Sequence, residues 1–478
     1  MTRRLLRFVV GPLLLGTFWA CGSLPKTPEL NHYDPERGYR FDSLKLGDAN
    51  TDSLFVILAF SGGGTRAASL SFGVLETLRD TKIEWKGQHK RLLDEVDIIS
   101  SVSGGSFTAS YYTLHRDKLF NGTFEQEFLK KDIEQALFAE SLLPSSWFEL
   151  AGFDYGRSDL AANFYNQNLF DGATFQSLID RGTRPFLMLN ATDMTTGSQF
   201  PFIQDQFDLI CADLAGLPVA RAVASSSAFP GLLTPLTYQN YAGQCQYEEP
   251  RWVRFAANDR QIAPERAVRA EQRRSYYQHP EWQKRRDYIH LMDGGISDNI
   301  GLRSIIWSLE SSDPAYSIQR RITKGIIEKL VIIVVDAATD TQSDRDNSAE
   351  TPGVVDVITA AAIIPLDNYS FDTVDRAKSA LGEYTEDTKV RQRCQNILQD
   401  HCPGAKLPGG DLSSVDVYLS HVTFDTISDP KLRFRYKNLP TNFALPADTV
   451  DELRAMGGQL LKSNPAFIGL LDKLQQHE

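Results

Sequence analysis

The chain has 478 residues, 42% hydrophobic and 23% charged, the composition of an ordinary globular protein with room for one large domain or two modest ones. Its 50 basic residues against 61 acidic ones leave a net charge of −11, which argues against a nucleic-acid binder and against wholesale attraction to anionic membrane.

The N-terminus reads as a targeting segment. Arg3, Arg4 and Arg7 form a basic region, and residues 8–20 are an apolar run too short for a bilayer span, broken by Gly11-Pro12. The run ends at Trp19-Ala20-Cys21-Gly22-Ser23, which resembles a bacterial lipoprotein cleavage site. Residues 1–20 are therefore expected to be a signal peptide, and Cys21 the lipidated first residue of an exported outer-membrane lipoprotein of the bacterial cell envelope. An uncleaved anchor and an ordinary signal peptide are the alternatives, and Thr2-Arg3-Arg4 also suggests twin-arginine export. Residues 21–52, polar and proline-containing, read as a tether. Export agrees with the remaining cysteines, whose sequence neighbours suggest Cys211–Cys245 and Cys394–Cys402, one of three connectivities, with four free thiols the other reading. No Cys-x-x-Cys spacing points to zinc.

Residues 54–60 are a buried strand, followed by Ser61-Gly62-Gly63-Gly64-Thr65-Arg66-Ala67 and a helical stretch. Val96-Asp97-Ile98-Ile99-Ser100 is a second strand, followed by Ser101-Val102-Ser103-Gly104-Gly105 and another helix. A Ser on such a strand–turn–helix junction projects its hydroxyl beyond the sheet edge. Consecutive glycines on a neighbouring turn offer unobstructed N–H groups of the kind an oxyanion needs. The pair points to acyl transfer.

Residues 119–171 are rich in aromatics, including Phe120, Phe124, Phe128, Trp147, Phe148, Phe153, Tyr165 and Phe170, which read as core or as the lining of an acyl-chain channel. Residues 186–191 are another strand. Between 250 and 288 arginines (Arg251, Arg254, Arg260, Arg266, Arg269, Arg273, Arg274, Arg285, Arg286) alternate with Trp252, Phe255, Tyr276, Tyr277 and Trp282. That run is a solvated helix face or a lid suited to phosphate headgroups. Leu291-Met292-Asp293-Gly294-Gly295 follows. Residues 330–336 form the clearest strand, 343–351 a polar loop, 415–419 a late strand, and helices close the chain. Strands alternating with helices imply an α/β fold with a largely parallel sheet.

Gly-Gly-Gly-x-Arg, a Ser–Gly elbow and Asp-Gly-Gly, in that order, resemble the patatin-like phospholipases. Two further blocks fit: Leu189-Asn190-Ala191-Thr192-Asp193-Met194-Thr195-Thr196-Gly197 and Ala224-Ser225-Ser226-Ser227-Ala228-Phe229-Pro230. The resemblance implies a three-layer α/β/α fold, with a catalytic domain over residues 53–345 (the charged insertion at about 246–288) and a C-terminal extension, 346–478, packed on it. It also implies a Ser103–Asp293 dyad that hydrolyses fatty-acyl esters of a phospholipid or lysophospholipid at a membrane surface, with no metal or cofactor. The oxyanion would be held by Gly62, Gly63 and Gly64, with Gly104, and Arg66 would bind a lipid phosphate or brace the dyad loop. One departure stands out: the usual first glycine of the elbow is Ser101, the smallest polar substitute in a tight turn. A lipid acyltransferase and an inactive lipid-binding module remain as alternatives. His290 and His421 offer no evident triad base; the resemblance assigns that role to Asp293, whose basicity burial must raise. Asp298 and Asp336 are rival carboxylates.

Overall fold

The structure is a computed structural model that describes residues 24–142, 155–230, 233–279, 281, 284–340, 349–402, 404 and 415–475. The expected signal peptide, Cys21, Trp147, Phe148, Phe153, Trp282 and most of the polar loop at 343–351 lie outside the described residues.

Ten strands form among the described residues: β1 (Leu54–Phe60), β2 (Lys82–Trp85), β3 (Gln88–Arg91), β4 (Val96–Val102), β5 (Phe186–Asp193), β6 (Gln199–Pro201), β7 (Leu236–Gln239), β8 (Tyr288–Asp293), β9 (Lys329–Asp336) and β10 (Asp416–Thr423). Eight of them make one sheet in the order β10-β9-β1-β4-β5-β8-β7, with β6 alongside β5, while β2 and β3 pair as a separate hairpin. From β10 to β5 the neighbours run parallel, and β6, β7 and β8 are antiparallel. β1, β4, β5 and β9 are buried at every residue, the pattern of parallel strands covered on both faces by helices. The sheet flanked by helices is the expected α/β class.

A charged residue inside β4 has a local cause. The β1–β4 register slips between Val56 and Ile57, leaving Asp97 as the extra residue. Its carboxylate accepts the Val56 N–H at 2.8 Å and pairs with Arg184 at 2.7 Å. Burial nevertheless pushes the Asp97 carboxyl up to about 7.

Helix α1 (Gly64–Asp80) leaves β1 and helix α2 (Gly104–His115) leaves β4, so each glycine turn opens a helix. On α1, Gly73 touches backbone of the helix Ala447–Lys462: a Cβ there would lie 1.9 Å from the Arg454 carbonyl. Gly457 makes the reciprocal approach to Leu70 O, so the C-terminal helix is keyed into α1 by two glycines. Phe107 of α2 stacks on Phe128 and meets Tyr165 and Phe443 edge-on, which places part of the aromatic-rich region in core beneath the elbow.

Three expectations need correction. Residues 24–52 are not a free tether, because Tyr39 and Phe41 are buried and Arg40 is held by Asp205 and Asp208. Cys211–Cys245 is bonded, but Cys394 and Cys402 are free and exposed. Cys394 lies in the helix Val354–His401 and Cys402 directly follows its end, its N–H still donating to the Leu398 carbonyl; eight residues of helical rise, about 12 Å, are too far for a bridge. The arginines of the 250–288 insertion are not all one solvated face: Arg266 turns onto Asp313, Arg274 onto Glu249 and Arg286 onto Asp193, whereas Arg251, Arg254, Arg260 and Arg285 are exposed.

Candidate active site

Ser103 stands between β4 and α2 with φ +48° and ψ −120°, a conformation rarely open to a residue with a side chain. Burial and bonding over-determine it. Its N–H donates to Ser226 Oγ at 2.9 Å, and the Ser226 hydroxyl donates onward to the Asn190 carbonyl at 2.7 Å. A side chain on Gly104 would come within 2.1 Å of the Gly64 carbonyl, and one on Gly105 within 2.7 Å of the Ser61 carbonyl. The two glycine turns therefore touch, and only glycine fits at the contact.

Ser101, where the elbow usually has glycine, is a fully buried strand residue paired with Phe60 and Leu189. Its hydroxyl accepts from Ser106 Oγ at 3.2 Å, and Ser106 lies 3.0 Å from Ser226 Oγ. The extra hydroxyl is thus absorbed by a serine network under the elbow rather than left unpaired.

Asp293 ends β8 at the neighbouring turn. The Ser103 hydroxyl donates to its Oδ2 at 2.8 Å, and the Gly295 N–H donates to Oδ1 at 2.8 Å. Burial pushes the carboxyl up to about 6, against the lowering effect of those two hydrogen bonds. Thr192 Oγ1 donates to the Asp293 carbonyl at 2.8 Å and fixes the turn. Gly294 presses on the Asn190 carbonyl, which a Cβ would approach to 2.2 Å. Leu366, from the long helix Val354–His401, lies against Gly295, so that helix reaches the dyad turn.

The glycines divide by function. Gly62 donates its N–H to the Asn299 carbonyl at 3.0 Å and is not available to a ligand. The N–H groups of Gly63, Gly64 and Gly104 meet no acceptor among the described residues, and Gly64 and Gly104 open α1 and α2. Gly63 and Gly64 have φ of +134° and +60°. Arg66 is 2% exposed. Its guanidinium donates to the carbonyls of Ala337, Leu439 and Pro440 and to Thr441 Oγ1, clamping a C-terminal segment over the start of α1. Bracing is what it does, of that segment and not of the dyad loop.

The rival groups lie elsewhere. Asp298 is buried and caps the backbone of Arg303 at 2.7 Å, and Asp336 faces His421 at 3.1 Å. His290 shares a hydrogen bond with Thr237, and no histidine among the described residues contacts Ser103 or Asp293. Sequence reasoning did not assign roles to Ser226, Thr192, Asn190 or Asn299. The first three sit in the two blocks it had noted, where small polar residues interrupt otherwise apolar buried runs.

No curated protein matches the chain. Among solved structures, human GIVD cytosolic phospholipase A2 is similar at 11% identity and a TM-score of 0.44, over 89% of this chain and 60% of that one. The same human protein in complex with methyl γ-linolenyl fluorophosphonate and terbium chloride gives 12% identity and a TM-score of 0.38 over 89% and 60%. VipD from Legionella pneumophila gives 12% identity and a TM-score of 0.26 over 88% and 71%. The chain thus spans about 60% of the length of the human enzyme. The family model for patatin-like phospholipases matches residues 58–306. That is 249 of 478 residues, from inside β1 to beyond the Asp293 turn, and the chain belongs to the patatin-like phospholipase family.

Proposed function

We propose that the protein is a lipid acyl hydrolase of phospholipase A or lysophospholipase type, working through Ser103 and Asp293. The observation that carries the reading is the 2.8 Å hydrogen bond from the Ser103 hydroxyl to a buried carboxylate whose affinity for a proton is raised. Ser103 Oγ attacks the ester carbonyl as Asp293 Oδ2 takes its proton. The tetrahedral oxyanion is received by N–H groups of Gly63, Gly64 and Gly104, which have no acceptor among the described residues. Collapse expels the alcohol, which receives the proton from Asp293. Water, deprotonated by the same carboxylate, then attacks the acyl-enzyme; collapse breaks the bond to Ser103 Oγ, which takes the proton back from Asp293 as the fatty acid leaves.

Contact with a lipid surface is proposed through the long helix Val354–His401. Val357, Ile364 and Phe371 recur every seven residues, hence on one side, and are 56%, 53% and 74% exposed. Leu366 of the same helix lies against the dyad turn, about half a turn round from the stripe, so the helix packs one side on the site and presents the stripe on the other. No described helix is long and apolar enough to cross a membrane, which leaves this stripe suited to lying at an interface. Export with lipidation at Cys21 is part of the same proposal, supported by the N-terminal sequence and by the Cys211–Cys245 disulfide.

The test is product analysis with acyl-labelled phospholipid vesicles. Wild type should release free fatty acid, and Ser103→Ala should lose at least about 1,000-fold in turnover while remaining folded. Labelled acyl chains appearing on an added alcohol, with no free acid, would instead establish an acyltransferase.

A further inference from the structure

Arg269 and Arg273, the two half-buried arginines of the 250–288 insertion that face one cavity, make no ion pair with a carboxylate among the described residues. Arg269 and Arg273 stand one turn apart on the helix Pro264–Arg274 and face a cavity of about 420 Å³ between that helix and the N-terminal segment. The Nε atoms of both are buried without a hydrogen-bond acceptor among the described residues. Arg269 lies over the Trp307 ring at 5.2 Å, and Arg273 over the Trp252 ring at 5.7 Å. Arg273 donates one long hydrogen bond, 3.3 Å, to the Asp205 carbonyl. Burial lowers the proton affinity of the Arg269 guanidinium below the usual arginine value, against the pull of Asp313, Glu310 and Glu265.

The carboxylates on the cavity wall are committed elsewhere. Asp205 pairs with Arg40 at 2.9 Å, Asp313 with Arg266 at 2.8 Å and Asp42 with Arg321 at 2.6 Å, while Glu36 is exposed to solvent. A buried N–H without an acceptor is costly, and two guanidiniums on the wall of one cavity, each with such an Nε, make a place for an anion. Their forks, with Gln272 on the same cavity wall, offer more donors than a single carboxylate has lone pairs, and suit a tetrahedral oxyanion. Ser103 and Asp293 are not among the residues around this cavity. Its wall includes Gln199, which donates to Asn190 Oδ1 at 2.9 Å and to Asp298 Oδ2 at 3.4 Å, one residue removed from the catalytic turns.

The geometry points to a phosphate-class oxyanion site, separate from the dyad, in which Arg269 and Arg273 hold the anion with Trp252 and Trp307 backing their guanidiniums. Phosphate could arrive free or as a lipid headgroup, and the experiment separates the two. Tryptophan fluorescence of the whole protein is titrated with sodium phosphate and with glycerol 3-phosphate at constant ionic strength. A saturable one-site response is expected, weakened roughly tenfold or more by Arg269→Gln with Arg273→Gln, and unchanged by Arg285→Gln in the same insertion. Gln272→Glu places a carboxylate beside both arginines. It should abolish the response while the thermal midpoint stays level or rises, so that loss of fold cannot explain the result. Sedimentation with phosphatidylcholine vesicles, with and without phosphatidic acid, identifies the source. Retention needing both phosphatidic acid and the two arginines assigns a headgroup, whereas saturation by soluble phosphate without retention assigns a free phosphate. The inference fails if wild type responds to neither soluble phosphate nor phosphatidic acid, or if the double variant and Gln272→Glu respond as wild type does. None of these readouts needs turnover, so failure here leaves the dyad untouched.

Discussion

Ser103 occupies its strained backbone angles because three neighbours leave no alternative: the Ser226 hydroxyl on its N–H, and Gly104 and Gly105 pressed on the first glycine turn. Asp293 opposite it carries the chemical consequence of burial. Its carboxyl, raised to about 6, must be ionised to act as base, so hydrolysis should fall as pH drops through about 6, read as an acid limb of kcat/KM. The linkage sign follows from the same shift. The folded state binds this proton more tightly than the unfolded chain, so the contribution to stability is full below the unfolded value near 4 and is lost as pH rises through about 6. Asp293→Asn should therefore be inactive. Relative to wild type it should gain on the order of 1–3 kcal/mol in stability between pH 4 and pH 8, measured by denaturant unfolding. A variant that loses stability steadily over that range would show the carboxylate to be a stabilising group instead. The glycine and Asp-Gly-Gly patterns made Ser103 and Asp293 legible in the sequence. The fate of Arg66 and Gly62 was not, because it depends on Ala337, on residues 439–441 and on Asn299, all brought there by long-range folding.

At the scale of elements, continuous apolar runs identified the parallel strands β1, β4, β5 and β9, because strands buried on both faces leave that trace. The 250–288 insertion was legible only in part for a related reason: a run of charges looks the same whether it faces water, as Arg251, Arg254, Arg260 and Arg285 do, or protein carboxylates, as Arg266, Arg274 and Arg286 do. Asp193, whose side chain is fully buried, accepts from Arg286 at 2.6 Å and from Tyr276 at 2.8 Å. Arg286→Ala should cost about 3–5 kcal/mol of stability by stranding that charge, and should reduce activity on vesicles and on a soluble short-chain ester alike. Loss confined to vesicles would return the insertion to a lipid-contact role. The long helix predicts the opposite pattern. Replacing Val357, Ile364 and Phe371 together by Ser should lower activity on vesicles about tenfold or more, since each removes apolar area from the interface, and change the soluble ester little. Equal loss on both substrates would make the stripe structural.

For the molecule as a whole, the family match ends at residue 306, yet the sheet continues through β9 and β10, and the helix Ala447–Lys462 is locked to α1 through Gly73 and Gly457. The C-terminal residues also supply the segment that Arg66 clamps over the first glycine turn. The site is consequently built by residues spread from Gly62 to Asn442 rather than by the matched region alone. Everything in this account converges on one bond, the hydrogen bond between Ser103 and Asp293. Reaction of the full chain with an alkyl fluorophosphonate, followed by intact-mass measurement and peptide mapping, tests it most directly. One adduct is expected, on Ser103, absent in Ser103→Ala and formed at least about 100-fold more slowly in Asp293→Asn. An adduct on another serine, or labelling of Asp293→Asn at the wild-type rate, would contradict the dyad.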